Sequence, residues 1–465
     1  MNILYVGHAC FLAEMGGLRI LMDPWIIGPT YYHAWWHVPP AAATPEQLGP
    51  VDLIMVSHVH DDHFHLPTLK RLPKTATVVI PYALDRWMAQ TVRELGFSKI
   101  VELEHGVGTR LSGSLWAENY HFGRLDSAFW LRSGQETLLN LNDCAVPTGW
   151  IRRWRRDHAS PDVTLGTFSY ASAYPLCYEI PGMDRERQAR ESIQRYLEQY
   201  AKNMSALGTR TAIPIATQYG FLAPEQRWMN AFVPTPLQAL AALARQDPAV
   251  QGVLLNPGDR FSPAENLQRT GPPFDWTRKE DSIRHLAAQR EQEVRDAFAE
   301  ELRPAEDWFD EFASCFSRIL RSNPLLRKRI GLPIAFVLEP DGRRWVVDFS
   351  RSSQWVRREP EPGPATSIEI RLPETLLAAA VRREIHWENL YGSNRLTVKV
   401  PRELLGREWE LWRMLFNFRE GLLQDRLQFF TPRGVRILWR RRQEMLHLAR
   451  ERLCGQSSRE PLRSF

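Results

Sequence analysis

A chain of 465 residues is long enough for two or three domains with a sizeable interior, and its 44% hydrophobic and 24% charged residues are ordinary for a globular protein. Five cysteines with no CxxC pair exclude a regular disulfide framework and favour a reducing, cytoplasmic setting. The sequence shows no basic-then-apolar leader and no run of about 18 apolar residues, so neither a signal peptide nor a membrane span is expected, and a net charge of +5 is small for this length.

Residues 1–180 alternate short apolar runs with Gly, Pro and Asp, the rhythm of strands with occasional helices. Val51 to Val56 reads as a buried strand, and the run Ser57-His58-Val59-His60-Asp61-Asp62-His63 leaves it as a loop. Imidazole nitrogen and carboxylate oxygen are ligands for zinc, iron or manganese. Residues one apart on an extended segment point the same way, so His58 and His60 can grip one metal while Asp62 and His63 turn past it to a second. His65, just outside the pattern, reads as a chance histidine. Leu115 to Tyr120 reads as a strand with His121 at its end, and the apolar run from Thr137 ends at Asp143. The arginine clusters Arg152 to Arg156 and Arg440 to Arg442 read as solvated helix faces rather than a nucleic-acid surface. Arg152 and Arg153, close after Asp143, are candidates to hold an anionic group of a substrate.

Asp184 to Leu207 changes character, with Ile193, Tyr196, Leu197, Tyr200 and Met204 at helical spacing. Thr211 to Ile215 reads as a strand and Pro236 to Arg245 as a helix. A linker of low apolar content spans about 262–280, followed by charged helical stretches from Arg278 to Glu301 and Glu306 to Arg321. Ile334 to Leu338 and Trp345 to Phe349 flank a Pro-Asp-Gly turn as a hairpin. A half-buried strand (Ser367 to Leu372), a helix through Ala380 and a further strand near Leu396 complete the order. These elements divide the chain into 1–275 and a smaller α+β part, 276–465.

The histidine motif resembles that of the metallo-β-lactamase superfamily. Val6 to Phe11 and Ile20 to Trp25 are similar to the opening strands of its ascorbate-lactonase-like branch. A narrower resemblance is to the catalytic domain of the CMP-N-acetylneuraminate hydroxylase family. It rests on Asp23 to Pro29 with Trp35-Trp36, on Ser57 to Lys70, and on Leu139 to Cys144. It continues through Phe168 to Pro175 and Leu255 to Asp259. The C-terminal order resembles a sterol-carrier-protein-like module. The first resemblance implies a four-layer αββα sandwich. It also implies a dinuclear centre with His121 as third imidazole of the first metal and Asp143 as the bridging aspartate. The plain alternatives are a packed histidine and a turn acid. His8 and Asp23 would lie behind the ligands, fixing their tautomers.

The sequence departs from the superfamily's hydrolases on the late strand. Ile213 to Gly220 has no histidine where one more ligand is usual, and Asp259 could replace it, stand behind it or be an ordinary turn acid. An oxygen-rich second site favours two iron ions over zinc. The resemblance then implies O₂-dependent hydroxylation of a small anionic or acyl substrate. Trp25, Trp35, Trp36 and Tyr174 would form an apolar wall. No Cys-x-His pair of the Rieske type occurs, so an external electron donor is implied. A homodimer is compatible with this reading. The alternative is hydrolysis of an ester, thioester, lactone or phosphodiester by a metal-bridging hydroxide.

Overall fold

Alternating apolar residues on strands buried on both faces build the centre of the molecule. On the strand Asn2–Gly7, Ile3 and Tyr5 face one core while Leu4 and Val6 face another. The computed structural model describes residues 1–83, 86–122, 126–301, 307–359, 368–416 and 431–442. Among them an eight-stranded sheet and a seven-stranded sheet stack around Phe11, Met22 and Met55 from the first and Phe129, Leu131 and Leu165 from the second. The helices Leu66–Arg71 and Trp87–Glu94 cover the outer face of the first sheet. The helices Thr148–Trp154, Arg185–Leu207 and Pro236–Gln246 cover that of the second. This is the expected αββα sandwich.

The long helix shows how local sequence sets an element. Asp184 caps it by accepting the amide of Arg187 at 3.0 Å. Leu197, Tyr200, Met204 and Leu207 form its buried stripe, and Gly208 ends it in the left-handed conformation at φ 59°. The region expected to be a linker is partly regular. Asn266–Gln268 pairs with Arg260–Ser262 at the edge of the first sheet, and helices follow at Lys279–Gln289 and Glu291–Glu301.

A six-stranded sheet organises the C-terminal part, built on the expected hairpin Pro333–Glu339 with Arg344–Asp348. Its edge is closed from the other half of the chain. Tyr178 and Glu179 pair in parallel with Val398 and Lys399. One apolar cluster runs from Trp25, Tyr31 and Trp35 to Phe312, Trp345 and Trp412, so the two parts share a core. Buried Cys10, Cys144, Cys177 and Cys315 are free thiols, and Cys454 lies outside the described residues. No helix among the described residues is long and apolar enough to cross a membrane.

At the junction the buried carboxyl of Glu408 accepts the Tyr178 hydroxyl at 2.6 Å, and Tyr178 meets the Tyr391 hydroxyl at 3.1 Å. Burial pushes the Glu408 carboxyl up to about 8. The folded protein therefore keeps this proton up to about pH 8, while the unfolded chain releases it near the usual carboxylate value. Between those values stability falls as pH rises, by at most about 1.4 kcal/mol per pH unit for one proton. Glu408→Gln should remove this slope. Thermal unfolding of wild type and variant between pH 5 and 9 checks it; parallel curves would contradict the assignment.

Candidate metal centre

The strand Leu53–Met55 ends against a tight loop, closed where His63 and Phe64 donate their amides to the His60 carbonyl at 3.0 and 2.8 Å. Asp23 anchors the loop by accepting the Ser57 amide at 2.7 Å, and the Ser127 hydroxyl donates to the Ser57 carbonyl at 2.6 Å. His8, Asp23, Asn142 and Ala216 around it are all non-glycine residues in the left-handed region. Backbone of this kind persists where the surroundings over-determine it and clusters at functional sites.

Three groups of ligand-type atoms converge here, each within 4.8 Å: His8, Asp62 and His63; His58, His63 and Asp143; and His58, His60 and Asp126. His58 Nε2 lies 2.7 Å from His60 Nδ1 and 3.9 Å from Asp126 Oδ1. His63 Nε2 lies 3.3 Å from Asp62 Oδ2, which is itself 2.9 Å from His8 Nε2. One oxygen, Asp143 Oδ2, stands between these groups, 3.5 Å from His58 Nε2 and 3.4 Å from His63 Nε2. The outward nitrogens are held: His58 Nδ1 by the Ser57 hydroxyl at 2.9 Å, and His63 Nδ1 faces Asp23 Oδ2 at 3.3 Å.

Charge is concentrated in this small space. Burial lowers the His63 imidazole, but Asp62, Asp143 and Asp23 hold it well above the usual range. His58 is raised in the same way, against burial, mainly by Asp143. Burial raises the Asp62 and Asp143 carboxyls, yet the neighbouring imidazoles hold both well below the usual value. Asp126 is pushed up to about 7, chiefly by burial. His63 Nε2 and Asp143 Oδ1 are buried with no hydrogen-bond partner. Buried, unsatisfied nitrogen and oxygen donors converging on one space fit a divalent cation.

The other expected residues divide. Trp35 and Tyr174 line a cavity of about 420 Å³ beside His60, Asp62, Asp126 and Asp143. Trp36 packs instead with Val38, Leu222 and Ile283. Arg152 and Arg153 do not line the cavity; both are exposed on their helix, and among the described residues Arg195 is the arginine that lines it. Asp259 accepts the Asn256 amide at 2.9 Å, faces Arg269 at 3.6 Å and takes no part in the three groups.

His121 also stands outside the three groups. It lies within the strand Leu115–Phe122 rather than beyond its end. Asp126 pairs with Phe122 and Ser127 with His121, so strand alternation turns His121 to the opposite face from Asp126 and Phe122, which line the cavity. The His121 ring contacts Asn119 at 3.2 Å and stacks at 5.9 Å on His105.

Residues not singled out from sequence complete the site. The signal for Asp126 is a carboxylate at a strand start shortly before Asp143. Glu388, Tyr391 and Gly392 line the cavity from the helix Trp387–Gly392, and their i, i+3, i+4 spacing places them on one face. Nothing local marks them as site residues.

Residues 2–144 match the family described as the beta-lactamase superfamily domain. Among curated proteins, the chain is 45% identical over 220 residues to a cytidine monophosphate-N-acetylneuraminic acid hydroxylase of Pongo pygmaeus, covering 44% of this chain and 37% of that protein. It is 29% identical over 241 residues to a putative Rieske 2Fe-2S iron-sulfur protein of Mycobacterium tuberculosis, covering 50% of this chain and 46% of that one. The chain thus spans less than half the length of either. Among solved structures, CmlA, a diiron beta-hydroxylase from Streptomyces venezuelae, is 20% identical with a TM-score of 0.39, covering 58% of this chain and 54% of that one.

Proposed function

We propose that this chain is a metal-dependent enzyme that binds two metal ions and hydroxylates a small molecule with O₂. The observation that carries the reading is Asp143 Oδ2, placed between the His58 and His63 nitrogens at 3.5 and 3.4 Å. His58, His60 and Asp126 would hold one ion. His63 and Asp62, with His8 beside them, would hold the other, and Asp143 would serve both. Asp23 and Ser57 fix the ring tautomers from behind. Iron is favoured over zinc because carboxylates are numerous and Ala216, not histidine, meets the cavity from the late-strand segment. Bound iron would supply the redox chemistry. The chain's own part is to seat the substrate against Trp35 and Tyr174, to offer Arg195 to an anionic group, and to limit water. The hydroxylase relative supports oxygenation, and an external donor would supply electrons.

Protein purified without added metal should contain iron, and turnover should consume O₂. Zinc as sole metal with equal turnover under argon would decide for hydrolysis. The ligand set has its own check. Asp126→Asn should weaken metal binding by about tenfold or more, while His121→Ala should leave it nearly unchanged. The reverse order, read by metal titration, would restore His121 as the ligand.

A further inference from the structure

We propose that Tyr31 and Gly392 are positioning residues of the metal centre, through which the C-terminal part sets the orientation of Asp62. The inference rests on Asp62 being a metal ligand, as proposed above. Tyr31, Tyr32 and His33 are three consecutive non-glycine residues in the left-handed region, at φ 51°, 55° and 66°. Such a turn is costly for L-residues and must be held from outside. Two sets of contacts hold it. From the histidine loop, Asp61 Oδ2 accepts the Thr30 hydroxyl at 2.7 Å and the Tyr31 amide at 3.0 Å. From the C-terminal part, Arg395 Nη1 donates to the Tyr32 carbonyl at 3.4 Å, and the backbone of Gly392 lies against the Tyr31 ring.

The last contact leaves no room for a side chain. A Cβ on Gly392 would stand 2.6 and 2.7 Å from Tyr31 Cε1 and Cδ1. Trp35 lies against the same ring, with centroids 4.4 Å apart. So seated, the buried Tyr31 hydroxyl donates to Asp62 Oδ1 at 2.7 Å. That bond occupies one carboxylate oxygen and turns the other, Oδ2, toward His63 and His8. The path from the C-terminal helix to the ligand is one backbone contact, one ring and one hydrogen bond.

The test uses full-length protein freed of metal and titrated with Co²⁺ alone, read by the visible absorption of the bound ion. Tyr31→Phe keeps the ring and removes the hydroxyl. It should weaken Co²⁺ binding by about tenfold or more and shift the Co²⁺ spectrum, with little change in unfolding temperature. Gly392→Ala should weaken binding in the same direction by displacing the ring. Because both act through one hydroxyl, the double variant should bind Co²⁺ about as Tyr31→Phe does. Unchanged affinity and spectrum in Tyr31→Phe would overturn the proposal, as would a Gly392→Ala loss that adds in full on the Tyr31→Phe background. Tyr31→Phe carries the test alone if Gly392→Ala does not fold. Wild type that takes up no Co²⁺, or Asp143→Asn that binds it with unchanged stoichiometry and affinity, would instead sink the ligand reading itself.

Discussion

Asp143→Asn should abolish activity and lower metal affinity by at least about 100-fold, the larger end of what losing a group around a metal costs. One carboxylate oxygen faces imidazoles of both groups, so the substitution would remove the negative group that the proposed centre shares. An amide keeps the size but neither the charge nor the second oxygen. It would also leave His58 and His63 buried beside each other, 4.1 Å between ring centroids, without the anion that offsets their charge. The loss should therefore extend to both ions rather than halve the metal content. Elemental analysis of variant and wild type purified side by side measures it. Retention of one tightly held ion would show that Asp143 serves a single site.

Trp345→Ala should cost about 3–5 kcal/mol of stability, the range for removing a fully buried aromatic side chain. Trp345 is 1% exposed and meets Trp308, Phe309 and Phe312 with ring centroids 4.5, 5.4 and 5.0 Å apart. The cavity left behind would sit in the cluster that also contains Trp25, Tyr31 and Trp35. The destabilisation should therefore lower one cooperative transition. Tryptophan fluorescence and circular dichroism should report the same midpoint in denaturant; two separated transitions would show that the parts unfold independently.

The histidine loop was legible because its ligand-type residues are contiguous and follow a buried strand. The helix Arg185–Leu207 was legible because cap, stripe and stop residue agree. Asp126, which the proposed centre uses, was missed because only the register between two strands decides that it and not His121 faces the cavity. Glu388, Tyr391 and Gly392 come from a six-residue helix more than 200 positions beyond Asp143, and no local pattern couples them to it. Arg152 and Arg153 illustrate the opposite case. Proximity along the chain suggested a role that their exposed helix face does not support, while Arg195 reaches the cavity from the next helix.

The two-residue strand Tyr178–Glu179 bears on inheritance as well as on shape. A division of the gene at residue 275 would leave this strand on one product and the sheet it closes on the other. The first would carry an orphan ribbon, and the second an open sheet edge at Thr397–Lys399 that invites pairing with foreign chains. Recombination that exchanged the C-terminal part alone would meet the same penalty, since the new partner would have to match an edge supplied from far upstream. Separating the two parts should therefore expose sheet edge and shared core on both products.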